Sequence, residues 1–166
     1  MKIIAIDPGY DRVGVAIIEK PRQGKEILEY SMCIETSSKD SISGRIHTIG
    51  TEVAQTIKKW KPEALAIEKL YFSKNQTTAM GVSEARGVIM YEGARANLPI
   101  FEYTPNEIKV AVTGYGSATK ENVHTMVQKL IVLPEKKRLD DEIDAIAIGL
   151  CCLAREKFTQ HVAHNT

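Results

Sequence analysis

The amino-acid sequence predicts an α/β protein built on one mixed, five-stranded sheet that is flanked by helices. Three observations support this prediction. The first 36 residues contain three closely spaced strand patterns, and strands joined by such short loops pair antiparallel. From residue 41 onward, helical hydrophobic spacing alternates with short apolar runs, which is typical of parallel pairing. The length of 166 residues suits one domain and is too short for an eight-stranded α/β barrel of about 250 residues.

The antiparallel part of the sheet is predicted over residues 2–36. Residues 2–7 are apolar and β-branched, the turn signal Asp7-Pro8-Gly9 follows, and residues 13–18 form a second apolar run. Pro21 and Gly24 then break the chain before a third strand over residues 26–36. We expect these three strands to form a meander.

The rest of the chain alternates helices with short strands. Apolar residues recur every three or four positions from Ile42 to Trp60, which predicts a helix entered through Ser41 or Ser43 and ended before Pro62. The later elements are a strand over 63–69, a helix over 76–97, a strand over 99–103, a short helix to 112, a glycine loop over 114–117, a helix to about 133 and a final helix over about 140–157. Three antiparallel strands followed by a parallel continuation is the order of a ribonuclease H-like sheet. We expect one such domain over residues 1–158 and a flexible tail over 159–166.

Composition and charge exclude several classes of protein. The sequence has no apolar run long enough for a membrane span and no signal peptide, and its three cysteines lack metal-binding spacing, so we expect a cytoplasmic protein without zinc or disulfides. The net charge of +1 at first argues against nucleic-acid binding. However, residues 69–138 hold ten basic and six acidic side chains, and residues 139–148 hold four acidic ones. The average therefore hides a basic middle and an acidic patch.

Acidic residues stand at positions where the pattern predicts burial. Asp7 ends an apolar strand on the face of Ile3 and Ala5, and Glu68 ends the fourth strand in the same way. An unpaired charge there is costly. These two acids therefore need a compensating partner.

A further group of acids opens the final helix. One interpretation of Asp140, Asp141 and Glu142 is helix capping, because the helix dipole favours acids in a first turn. Asp144 is different, since the ten residues that follow it carry no charge, which predicts a buried helix. Asp141, three residues earlier, lies on the same helical face as Asp144.

These acids predict a metal site. If strands one and four are neighbours and the last helix packs across them, Asp7, Glu68, Asp141 and Asp144 converge. Clustered carboxylates are compensated by a hard divalent cation. Magnesium or manganese held in this way suits phosphoryl transfer with two ions. The four histidines show no ligand spacing, which disfavours zinc.

Six motifs together resemble the RuvC Holliday-junction resolvases, in order and over about residues 1–155. They are Ile4-Ala5-Ile6-Asp7-Pro8-Gly9, Ala66-Ile67-Glu68-Lys69, Ser73-Lys74-Asn75, Glu84-Ala85-Arg86-Gly87, Gly114-Tyr115-Gly116-Ser117-Ala118-Thr119-Lys120 and Asp141-Glu142-Ile143-Asp144-Ala145-Ile146-Ala147. The resemblance implies a homodimer that makes paired, magnesium-dependent nicks in four-way junction DNA during recombination and repair, leaving 5′-phosphate and 3′-hydroxyl ends. It further implies a branch-migration helicase as a partner, and it maps the catalytic acids onto Asp7, Glu68, Asp141 and Asp144.

The resemblance also implies DNA contacts. The family has an aromatic residue after the strand-four glutamate, and the corresponding position here is Tyr71, with Phe72 next to it; both could instead cover the end of the sheet. A glycine loop before a helix N-terminus can approach a phosphate, although such a loop by itself more often binds no ligand. The helix over 76–97 is the candidate for the dimer contact. The expected DNA-binding residues are Lys69, Tyr71, Lys74, Asn75, Lys109, Gly116, Ser117 and Lys120.

Three alternatives stay open at this stage. The first is an RNA-processing nuclease of the same fold. The second is a nucleotide-binding module of the actin and sugar-kinase type, although that class needs two such domains and 166 residues supply one. The third is a junction-binding protein whose acids are inert.

Overall fold

A computed structural model describes residues 1–70 and 76–156, and in this part of the chain the sheet has six strands. Their order across the sheet is β5-β4-β1-β2-β3-β6. Neighbouring β1, β2 and β3 pair antiparallel, whereas β4 lies parallel to β1, β5 parallel to β4, and β6 parallel to β3. The strands are β1 (Lys2–Asp7), β2 (Arg12–Glu19), β3 (Glu26–Glu35), β4 (Ala64–Glu68), β5 (Ile100–Tyr103) and β6 (Ile131–Val132).

Five helices in the described ranges flank the sheet. They are α1 (Ile42–Trp60), α2 (Gln76–Arg95), α3 (Pro105–Thr113), α4 (Lys120–Leu130) and α5 (Asp140–Arg155). The side chains of Ser41, Thr104 and Thr119 each accept a hydrogen bond from a backbone N–H of the first turn of α1, α3 and α4 respectively, which satisfies amides that have no partner within the helix.

The sheet separates two apolar layers because successive strand residues point to opposite faces. On one face, Ile3 and Ala5 of β1 pack in a cluster with α3, α4 and α5. On the other face, Ile4 and Ile6 pack in a cluster with α1 and α2. Gly149 lets α5 approach closely, since a Cβ there would lie 3.0 Å from the Ala5 Cβ. Helix α5 therefore lies directly against the strand that ends in Asp7.

The predicted fold class is confirmed, and the predicted strand number is wrong by one. The chain extends at Ile131–Val132 and pairs with the beginning of β3, so α4 ends at Leu130 and not near residue 133. A two-residue strand leaves no periodic pattern to find. The expected end of the domain at residue 158 and the tail lie outside the described residues. No helix in the described ranges has the length and apolar character of a membrane span.

Candidate active site

Asp7 and Glu68 lie side by side because their strands are parallel neighbours. Ile6 of β1 pairs in register with Ile67 of β4, and each acid is the last residue of its strand. Both side chains are partly buried at this edge of the sheet. The apolar pattern of each strand thus delivers one carboxylate to the same place.

Helix α5 reaches this edge at Gly14. Gly14 pairs with Asp7 across β1 and β2, and a Cβ at Gly14 would lie 1.9 Å from the backbone carbonyl oxygen of Asp141. Only a glycine permits this close approach. The first turn of α5 is therefore seated on β2, directly beside the end of β1.

Three of the four acids line one cavity of about 240 Å³, at the ends of β1 and β4. Asp7, Glu68 and Asp144 contribute carboxylates, and Lys109 and Lys120 contribute cations. Apolar residues of α3, α4 and α5 form the remaining wall. Asp141 does not line this cavity, but its charge acts on Asp7.

Burial and mutual repulsion strongly perturb two of these acids. Burial, together with the carboxylates of Glu68, Asp144 and Asp141, raises the pKa of Asp7 to about 7 against the opposing effect of Lys120. Burial and the Asp144 carboxylate together raise the pKa of Glu68 to about 7. Such values indicate a cluster in which added positive charge would be favourable.

Basic side chains of the protein itself contact Asp141 and Asp144. Lys120 Nζ lies 2.9 Å from Asp144 Oδ2, and His124 Nε2 lies 3.2 Å from Asp144 Oδ1. Arg12 Nε lies 3.3 Å from Asp141 Oδ2, an oxygen that is buried and accepts no hydrogen bond. Among residues 1–70 and 76–156, no three His, Cys, Asp or Glu side chains stand in a geometry that could hold a metal ion as they are. To bind a cation, Asp141 and Asp144 would therefore have to give up their contacts with these basic side chains.

The structure distinguishes Asp140 from Asp141, which spacing alone leaves ambiguous. The Asp140 side chain is 67% exposed and has Lys120 Nζ at 3.6 Å, whereas the Asp141 side chain is 19% exposed and lies near Arg12. The position of Asp141 is the one that couples to Asp7.

The predicted DNA-binding residues fall into four groups. Lys109 and Lys120 line the cavity, and Lys69 is exposed just beyond β4. Helix α4 begins after the predicted glycine loop, with Thr119 as its cap, and Ser117 is exposed in the loop. Gly116 makes room for the Asn106 side chain, whose Oδ1 a Cβ would meet at 2.1 Å. Outside the described residues lie Tyr71, Phe72, Lys74 and Asn75.

Sequence reasoning missed three residues that support the acids. His124 stands one helical turn after Lys120, so the i, i+4 spacing on one face was a usable signal. Arg12 and Arg86 gave no such signal. Arg86 of α2 donates from Nε to the backbone carbonyl oxygen of Glu68 at 3.1 Å, and it forms an ion pair with Glu102 of β5. It therefore fixes the end of β4 from the opposite side of the sheet.

This sheet order, with acids at the ends of two adjacent parallel strands and on the helix that crosses them, defines a nuclease of the ribonuclease H-like class. A family model described as crossover junction endodeoxyribonuclease RuvC matches residues 3–152. The chain therefore belongs to the RuvC family.

Individual relatives agree with this assignment. The chain is 44% identical over 151 residues to crossover junction endodeoxyribonuclease RuvC of Halothermothrix orenii, covering 91% of each chain. It is 43% identical to the RuvC of Moorella thermoacetica, covering 91% of this chain and 90% of that protein. The structure is similar to T. thermophilus RuvC in complex with Holliday junction substrate, with a TM-score of 0.86, 29% identity and 93% of each chain covered.

Proposed function

We propose that this chain is a cytoplasmic endodeoxyribonuclease that resolves four-way DNA junctions by paired, symmetric nicks. The observation that carries the proposal is the cavity lined by Asp7, Glu68 and Asp144, in a chain that belongs to the RuvC family. The relatives named above are crossover junction endodeoxyribonucleases, and the T. thermophilus protein is described with a Holliday junction substrate. This family membership does not favour the RNA-processing alternative.

The donor set fits a hard divalent cation. The buried Asp141 Oδ2 lacks a hydrogen-bond partner, and the pKa of Asp7 is raised by burial and by neighbouring carboxylates. Oxygen ligands of this kind suit Mg²⁺ or Mn²⁺. Asp7, Glu68, Asp141 and Asp144 would hold two Mg²⁺ ions per subunit, with Mn²⁺ as an alternative. When bound, the ions would supply an activated water and neutralise charge on the leaving 3′ oxygen.

The protein's own side chains would orient the substrate. Lys109 and Lys120 line the cavity, where their charge favours a phosphate. Lys120 Nζ lies 2.9 Å from Asp144 Oδ2, so its positive charge would lie next to a phosphate bound in this cavity. The leaving 3′ oxygen takes up a proton, so the products are a 5′-phosphate and a ligatable 3′-hydroxyl.

A homodimer would bring two such sites to a junction that is itself nearly twofold symmetric. Helix α2 supports this proposal, because Met80 and Tyr91 are 68% and 61% exposed and lie on one helical face, eleven residues apart. Gly87 lies between them on the same face with open space around it. Two exposed apolar side chains with a glycine between them suit close helix contact. We further propose that the dimer works with a branch-migration helicase complex.

The test uses a synthetic, mobile four-way junction and the full chain. We expect the wild type to make paired nicks with Mg²⁺, and we expect Asp7→Asn and Asp144→Asn to bind the junction but not cleave it, because each removes an anionic ligand. Asp40→Asn is the matched control, since Asp40 is an exposed acid before α1. Magnesium-dependent cleavage retained by either site variant would refute the four-acid site. Equal cleavage of structured RNA would favour the alternative.

A further inference from the structure

Glu142 is the acid in the first turn of α5 that points away from the proposed metal site. It stands between Asp141 and Asp144 in sequence, yet only 4% of its surface is exposed. A buried carboxylate is tolerated only when hydrogen bonds satisfy its oxygens. Simple capping at the surface therefore does not describe Glu142.

Three donors converge on this carboxylate. Glu142 Oε2 accepts hydrogen bonds from Ser31 Oγ at 2.6 Å and from Lys136 Nζ at 3.1 Å, and Oε1 accepts one from the Leu139 backbone N–H at 3.2 Å. Burial acts to raise the pKa of Glu142, but the bonds from Ser31, Lys136 and Leu139 outweigh it and leave the pKa below its usual range. Both carboxylate oxygens of Glu142 are thus held by hydrogen bonds.

Ser31 extends these contacts to the chain that leads into α5. Arg138 Nε donates to Ser31 Oγ at 3.2 Å, and Lys136 Nζ donates to the Ser31 backbone carbonyl oxygen at 3.0 Å. Ser31 lies in β3, opposite Ala16 of β2. We call Ser31, Lys136, Arg138 and Glu142 the Ser31 clasp.

The clasp replaces a missing helix cap. Leu139 occupies the N-cap position of α5, and its side chain offers no hydrogen-bond acceptor. The Glu142 carboxylate instead reaches back to the Leu139 N–H. The first turn of α5 is therefore held at two points, by backbone contact with Gly14 of β2 and by Ser31 of β3.

We propose that Glu142, acting through the Ser31 clasp, is a positioning residue that fixes the first turn of α5 so that Asp141 and Asp144 face Asp7. The inference rests on the proposed function, in which these carboxylates hold a divalent cation. Residues that orient metal ligands affect metal affinity by about 10- to 100-fold when they are removed. Loss of the clasp keeps the carboxylates of Asp141 and Asp144 in the protein but lets the helical turn that carries them move.

The test measures Mn²⁺ affinity of the full chain without DNA, by calorimetric titration. Glu142→Gln keeps the side-chain volume and removes the charge, and we expect it to weaken Mn²⁺ binding about tenfold. Ser31→Ala leaves the helix sequence unchanged, and we expect a smaller loss in the same direction. The double variant should bind no more weakly than Glu142→Gln alone, because both changes break one set of contacts. Glu135→Gln, an exposed acid in the preceding loop, is the control and should bind as the wild type does.

Two further measurements separate positioning from general stability. Saturating Mn²⁺ should restore the junction-nicking rate of Glu142→Gln, whereas Asp7→Asn should stay inactive at any metal concentration. Thermal unfolding is followed for every variant. Lower stability of both clasp variants with unchanged Mn²⁺ affinity would overturn the proposal, and if Glu142→Gln does not fold, Ser31→Ala decides it.

Failure of the inference and failure of the proposed function give different results. If Asp7→Asn weakens Mn²⁺ binding and neither clasp variant does, the positioning role is wrong and the metal site stands. If Asp7→Asn binds Mn²⁺ as tightly as the wild type, the proposed metal site is wrong, and the inference falls with it.

Discussion

Replacing Gly14 by alanine tests how α5 presents its acids to the sheet. The alanine Cβ would lie 1.9 Å from the Asp141 carbonyl oxygen and 2.5 Å from its carbonyl carbon. Ordinary van der Waals contact begins near 3.4 Å, so the start of α5 must retreat by about 1.5 Å. Both partners are backbone atoms, and no side-chain rotation can relieve the overlap.

The expected effect on cleavage exceeds the expected effect on folding. A misplacement of about 1 Å in a catalytic group costs about 100-fold in rate, or about 2.7 kcal/mol in activation free energy. Overpacking of this kind lowers the free energy of unfolding by about 1–3 kcal/mol, which most domains tolerate. We therefore expect Gly14→Ala to fold, to bind the junction and to nick it at least 100-fold more slowly.

The assay is single-turnover nicking of a four-way junction, with junction binding measured in chelator and thermal unfolding measured in parallel. Gly44→Ala is the control, because a Cβ there meets only the Ser41 hydroxyl, at 3.2 Å. The control should nick at the wild-type rate. Wild-type nicking by Gly14→Ala would refute the reasoning that the contact between β2 and α5 sets the geometry of the site.

Three other predictions concern pH, strand β4 and DNA stacking. Without metal, the folded protein holds protons on Asp7 and Glu68 up to about pH 7, whereas the unfolded chain releases them near pH 4. The stability that these groups contribute is present in acid and is lost as pH rises through 7. The melting temperature in chelator should therefore fall more between pH 5 and pH 8 for the wild type than for Asp7→Asn, and parallel profiles would contradict the assigned cause. Arg86→Gln removes the hydrogen bond to the Glu68 carbonyl oxygen and the ion pair with Glu102. We therefore expect a loss of about 1–3 kcal/mol in the free energy of unfolding, measured in urea, and a slower nicking rate. Unchanged values of both would show that Arg86 does not support β4. Tyr71→Ala should impair nicking more than junction binding if its ring stacks on a base, a contact worth about 1–3 kcal/mol. Equal nicking rates for the variant and the wild type would contradict a stacking role for Tyr71.

The sequence predicts most of the fold because the apolar periods are unambiguous. Asp7 and Glu68 stand out for the same reason, since a charge that ends a buried strand breaks a clear pattern. Asp144 is found because the helix after it has no charge for ten residues. The order of elements then brings these acids to one edge of the sheet.

The parts that the sequence does not predict depend on register between distant residues. Glu142 looks like an ordinary capping acid until Ser31 is known to lie opposite Ala16 and beneath α5. Gly14 looks like one more strand glycine until the Asp141 carbonyl is seated on it. Both contacts join segments more than 100 residues apart, and no local pattern encodes them.

Mapping the nicks at nucleotide resolution shows whether this chain cuts four-way DNA junctions in pairs. The full chain is incubated with Mg²⁺ and a mobile junction that carries a label on each strand in turn, and the products are treated with DNA ligase. We expect nicks at symmetric positions on two opposed strands, sealed by ligase without further processing because the ends are 5′-phosphate and 3′-hydroxyl. Nicks confined to one strand, ends that ligase cannot seal, or cutting of linear duplex at the same rate would contradict it.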